Sequence, residues 1–186
     1  MLILSRPIWS IGSHGRLPNV CLLSSCLENN IMEVHSDFEE LLELFNKNEV
    51  EYLVVGAFAL AHHGVPRYTG DMDLLVRPHP ENGPKIMAAL EAFGFGSLEL
   101  SEAAFCVLGR VIQLGVAPVR IDLVTSITGV TWEEAIVDGE EGRLGNAPVL
   151  FLGREAFIAN KRAVGRHKDL ADIEALGGET KSPYAK

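Results

Sequence analysis

Asp71 and Asp73 stand one residue apart in the stretch RYTGDMDLLV, where an apolar run begins. In a strand, side chains two residues apart face the same side, so the two carboxylates point together and Met72 points away. Carboxylates placed side by side repel unless a cation sits between them. A third acid, Asp122, interrupts the apolar run VRIDLVT, with Ile121 and Leu123 directed to the opposite face. If the two strands are neighbours, three carboxylates meet on one face. Oxygen-only ligands in that number suit Mg2+ or Mn2+. Two such ions, roughly 3.5–4 Å apart, can stabilise the attacking and leaving oxygens of a phosphoryl or nucleotidyl transfer. A metal-dependent glycosyltransferase also presents Asp-x-Asp, but it needs a larger nucleotide-binding half than this chain has room for.

The elements that would hold these acids can be read around them. SDFEELLELFNKNEV predicts a helix with Ser36 as N-cap and Glu39 completing a capping box; Phe38, Leu41, Leu42 and Phe45 form its apolar stripe. EYLVVG is a short buried strand ended by Gly56, AFALAHHG a short helix, VPRYTG a loop and MDLLV the second strand. PHPENGPKIMAALEAFGFG predicts another helix, with Phe93 and Phe95 in the core. RVIQLGVAPVRIDLVTS predicts a hairpin. A helix follows in TWEEAIVDG with Thr131 as N-cap, then a last short strand in GNAPVLFL. Two helices broken near Gly165 complete the order. The fold class is α/β (α+β), a short mixed β-sheet flanked by helices with a helical C-terminal end. Gly56 permits close approach of a ligand to the backbone, and the helix after it offers free N–H groups and a positive dipole end as a phosphate seat.

The chain has 186 residues, 47% hydrophobic and 22% charged, enough for one domain with a core. No stretch reaches the roughly 18–20 apolar residues needed to span a membrane, so no membrane partner is expected. A formal charge of −9 argues against a broad grip on nucleic acid phosphates. Cys21, Cys26 and Cys106 are odd in number without zinc-like spacing, which predicts reduced thiols and a cytoplasmic location. Residues 1–31 hold Arg6 and Arg16 but one acid, Glu28, and Ser, Pro and Gly interrupt every apolar run. They read as a disordered or non-native extension. A start at Met32 is favoured, because a capped helix begins just after it. Residues 32–178 form the domain, and 179–186 a disordered tail.

With these residues in place, the chain resembles the DNA polymerase β-type nucleotidyltransferase superfamily, whose pattern is a strand ending in Gly-Gly or Gly-Ser, then Asp-x-Asp, then a third Asp on a later strand. Here these positions are Gly56-Ala57, Asp71-Met72-Asp73 and Asp122. More narrowly, VVGAFALAHHGVPRYTGDMDLLV together with KRAVGRHKDLADIEAL is similar to small stand-alone bacterial nucleotidyltransferases related to AbiEii-type toxins. The resemblance spans about Glu33 to Leu176. It implies a minimal nucleotidyltransferase fold, a nucleoside triphosphate substrate and two Mg2+ or Mn2+ ions. Asp71 and Asp73 would hold both ions. Asp122 would hold the catalytic one and help activate the acceptor hydroxyl. Ala57 departs from the pattern: it loses a hydroxyl contact to phosphate but keeps the backbone donors.

The resemblance also implies that Arg67 grips the triphosphate, against the plainer reading of local pairing with acids. Thr69 joins Gly56, Ala57 and Arg67 in the expected nucleotide-binding set, against the plainer reading that it fixes the turn into the strand. Lys161 and Lys168, seven apart and so expected on one helix face, would meet the triphosphate from across the cleft, against the reading of a solvated face. Asp169 would orient Lys161 or Arg67, and Asp169 and Asp172 are alternatively helix caps. His62 and His63 diverge by about 100° on a helix and do not suit one metal; one of them packs in the core. Cys106 is expected in the core. The acceptor is a tRNA end, a protein side chain or a small molecule. A catalytically degenerate nucleotide- or partner-binding domain of a toxin–antitoxin system is the alternative. An RNA-binding protein using the basic run from Lys161 to Lys168 is a third reading.

Overall fold

The structure, a computed structural model, describes residues 2–4, 35–96, 100–116 and 119–178. Cys21, Cys26, the tail 179–186 and nearly all of the N-terminal extension lie outside the described residues. The elements in chain order are β1 (Leu2–Leu4), α1 (Ser36–Lys47), β2 (Tyr52–Val55), α2 (Gly56–His62), β3 (Asp71–Val76), α3 (Asn82–Leu90), β4 (Val111–Val116), β5 (Val119–Val124), α4 (Trp132–Val137), β6 (Glu140–Leu144), β7 (Ala147–Phe151), α5 (Arg154–Val164) and α6 (His167–Ala175). A π-helical turn, Glu91–Phe95, continues α3, and a 3-10 turn covers Glu102–Cys106. The fold is mixed α/β, with the sheet order β1-β4-β5-β3-β2-β7-β6. The three residues of β1 pair in parallel with β4 at the edge.

Three pairings set the centre of the sheet. The β4–β5 hairpin is antiparallel, β5 runs parallel to β3, and β3 runs antiparallel to β2. All four residues of β2 are buried, as a central strand with both faces covered requires. On α1 the stripe Phe38, Leu41, Leu42 and Phe45 enters the core with Leu53, Val54, Met72 and Leu74. Phe93 and Phe95 are buried there too. Thr131 and Glu134 cap α4 reciprocally. Among the described residues no helix is long and apolar enough to cross a membrane.

Some local expectations are corrected. The N-cap of α1 is His35, whose Nδ1 accepts from Asp37 N at 3.2 Å; Ser36 is already helical. Glu39, released from a capping box, accepts from Asn146 N at 2.6 Å and ties α1 to the β6–β7 turn. GNAPVLFL holds the last strand, β7, as expected, but EEGRL, outside every expected element, pairs with it as β6. Cys106 is half-buried rather than in the core, with its thiol donating to Glu102 O at 3.7 Å.

Candidate functional site

Register places the acids. In the parallel β3–β5 pair, Asp73 stands opposite Asp122 and Asp71 opposite Arg120. Neighbours at the same register share a face, so three carboxylates and one guanidinium project together. From β4, Gln113 stands opposite Asp122, and its amide donates toward both carboxylate oxygens at 3.3 and 3.4 Å. Asp122 is buried at 7% exposure, so these contacts fix its orientation. Thr69 Oγ1 donates to Asp71 Oδ1 at 2.5 Å and lies 3.1 Å from Asp71 O, locking both the turn and the carboxylate.

Arg120 is the residue that sequence reading missed. Its Nε donates to Asp122 Oδ1 at 3.0 Å, and its Nη2 donates to Asp71 Oδ2. One guanidinium thus bridges two of the three acids. The signal was present: Arg120 lies two residues before Asp122, and the alternation that aligns Asp71 with Asp73 aligns these two as well. Gln113 carried no comparable signal, because only the hairpin register brings it across from Asp122.

Asp73 has no such partner. Its carboxyl is pushed up to about 6, chiefly by burial and then by the charges of Asp71 and Asp122; Lys161 and Arg120 offset this in part. Gly56 sits directly against it. Its φ of 65° is left-handed, and a Cβ there would lie 2.9 Å from Asp73 Cγ and closer still to Oδ2. Gly56 therefore makes room for a carboxylate of this chain. Gly56→Ala is expected to cost about 2–4 kcal/mol, the sum of left-handed strain and overpacking. Denaturant unfolding measures it, and a cost below about 1 kcal/mol would mean that Asp73 has room to move. Ala57 is buried but stands outside the contiguous apolar core. The N-terminus of α2 carries no side-chain cap.

The helical end of the chain brings a second charged group over the site. Gly165, left-handed at φ 69°, ends α5, so Lys161 and Lys168 lie on different helices and not on one face. Lys161 is buried, with Nζ 2.9 Å from Asp169 Oδ1 and 3.3 Å from Asp172 Oδ2. Lys168 is exposed. Arg166 Nε donates to Asp169 Oδ2 at 2.6 Å. Burial alone would raise the Asp169 carboxyl, but hydrogen bonds from Arg166 and Lys161 hold it at about 2. Asp172 Oδ2 is buried without a hydrogen bond; it faces the Lys161 ammonium as an ion pair only. Arg67 Nε reaches Asp172 Oδ1 at 3.5 Å, linking α6 to the loop that delivers Asp71.

His62 and His63 form a separate pair. His63 is half-buried with its side chain turned inward, its Nε2 at 2.9 Å from Leu152 O, and His62 stacks on Phe151 at 4.2 Å. Both rings approach Glu140, at 3.4 and 3.8 Å. Burial holds the His62 ring below its usual pKa.

The donor set at Asp71, Asp73 and Asp122 has the chemistry of a Mg2+ or Mn2+ site: oxygen ligands on a rigid sheet, one of them short of a cation. As placed, no three acidic, His or Cys side chains among the described residues converge on one point, and Asp71 and Asp122 are engaged by Arg120. Two clefts lie elsewhere, one beside Trp132 and Tyr52 and one beside His79 and Cys106. Comparison with known proteins finds no family model and no curated sequence that matches the chain.

Proposed function

We propose that this chain is a metal-dependent nucleotidyltransferase that moves a nucleoside monophosphate from a nucleoside triphosphate to a hydroxyl acceptor. The observation that supports it most is the register of β3 on β5, which sets Asp73 opposite Asp122 with Asp71 on the same face. Asp71, Asp73 and Asp122 would hold Mg2+ or Mn2+, which when bound supplies charge stabilisation to the attacking and leaving oxygens. Gln113 and Thr69 keep Asp122 and Asp71 aimed, so little reorganisation is needed when charge develops. The acceptor oxygen bonds to the α-phosphorus as the bond to the bridging oxygen breaks. Pyrophosphate leaves with that electron pair, and Asp122 helps draw the proton from the hydroxyl. Arg67 and the uncapped start of α2 would offer positive ends to the triphosphate, and Lys161 and Lys168 would add charge from the helical end. A tRNA end, a protein side chain or a small molecule is the acceptor.

A second reading is a degenerate nucleotide- or partner-binding domain of a toxin–antitoxin type system. It is favoured by Ala57 and by the burial of Lys161 in pairs with Asp169 and Asp172. A thermal melt with each of the four nucleoside triphosphates, with and without Mg2+ or Mn2+, separates the readings when followed by acceptor trials. A ligand at 100 times its dissociation constant adds about 2.7 kcal/mol, a rise of roughly 5–10 °C for a domain of this size. The expected result is a metal-dependent rise with one triphosphate, abolished by Asp71→Asn. No shift with any nucleotide or metal at saturation would sink the transferase reading.

A further inference from the structure

Arg120 holds the position that the acidic cluster would give to a cation. It forms ion pairs with both Asp71 and Asp122, the two acids at opposite corners of the β3–β5 pair. Its side chain is 35% exposed, so it is packed on one side and open to solvent on the other. The contact uses Nε and Nη2, one edge of the planar fork, a geometry that lysine cannot copy. A carboxylate oxygen engaged by a guanidinium N–H presents that lone pair to no metal. Each acid keeps further lone pairs, but a divalent ion shared by both would sit beside the guanidinium charge, and like-charge repulsion favours this edge leaving.

Resting on the transferase reading above, we propose that Arg120 is a resident counter-cation of the carboxylate cluster, which a divalent metal displaces from Asp71 and Asp122 when it binds. Arg120 and the metal are alternatives. With Arg120 in place, its single positive charge offsets part of the repulsion among the three acids, while its hydrogen bonds go to Asp71 and Asp122. With metal in place the same acids are neutralised by the ion, and the guanidinium swings toward its solvent side.

The test is Mn2+ binding to the metal-free full chain, followed by the paramagnetic signal of free Mn2+, for wild type, Arg120→Gln and Arg120→Lys. Removing the competing pair is expected to tighten Mn2+ binding about tenfold in Arg120→Gln, the scale of a partly exposed charge-assisted hydrogen bond. Arg120→Lys falls between the two. A second measurement needs no variant: in wild-type protein with labelled arginine, Mg2+ is expected to speed exchange of the Arg120 Nε–H with solvent. Mn2+ binding in wild type that is unchanged or weakened in Arg120→Gln, with the Arg120 Nε–H unaffected by Mg2+, overturns the displacement while leaving the metal site standing. Failure of all three proteins to bind Mn2+ overturns both the displacement and the metal-dependent reading.

Discussion

Asp73→Asn is expected to abolish transfer and stabilise the fold at the same time. On the transferase reading Asp73 would hold both metals, so turnover should fall by about 10³-fold or more, the scale seen when preorganised electrostatic stabilisation is removed. Stability moves the other way. The carboxyl titrates at about 6 in the native protein, against 3.8 as its ordinary value. A raised acid pKa means that the folded state binds more protons than the unfolded state between those values. Stability therefore falls as pH rises from about 4 to about 6 and stays low above it, by roughly 3 kcal/mol at pH 7 without metal. Asn carries no charge to desolvate, so the variant should gain roughly 1–3 kcal/mol at pH 7 and lose that part of the pH slope. Denaturant unfolding of both proteins from pH 4 to 8 measures it. A variant less stable than wild type at pH 7 would mean that Asp73 is already well satisfied.

The second large effect lies at Lys161. Lys161→Met keeps the apolar stem and removes the charge. The Lys161 ammonium sits 5.2 Å from the centre of the Phe157 ring, so that contact is lost as well. Asp169, 0% exposed, and Asp172, 7% exposed, then lose a shared cation in a buried setting. Breaking one partner of a buried pair costs about 3–5 kcal/mol. Arg166 still reaches Asp169 and Arg67 still reaches Asp172, which places the expectation near the lower end. About 3 kcal/mol lowers the melting temperature by roughly 6–12 °C in a chain of this length. A fall below about 2 °C would show that the arginines suffice, leaving Lys161 free to serve a phosphate.

The acidic site was legible because strand alternation is local. Asp71 and Asp73 had to share a face once MDLLV was a strand, and Asp122 had to stand apart from Ile121 and Leu123. The two broken C-terminal helices were legible because Gly165 sits where a left-handed cap is needed. The same glycine defeated the expectation that Lys161 and Lys168 share a face, since helical spacing does not carry across a break. Ser36 failed as a cap because His35, one residue earlier, accepts from Asp37 N, and Glu39 pairs instead with Asn146, over a hundred residues away. Strand β6 was missed because EEGRL has no apolar alternation; its pairing with β7 makes it a strand.

By itself, then, the chain determined most of its elements, its apolar stripes and the three acids, because periods of 2 and 3.6 residues and Gly or Pro punctuation are written in neighbouring residues. Tertiary structure alone decided that β3 lies parallel to β5 with Asp73 level with Asp122, that Gly56 lies against Asp73, and that Lys161 is buried between Asp169 and Asp172. Those are contacts between segments tens of residues apart. Register and burial follow from how whole faces pack, and a one-residue slip of β3 would have turned Asp71 and Asp73 to the other side of the sheet.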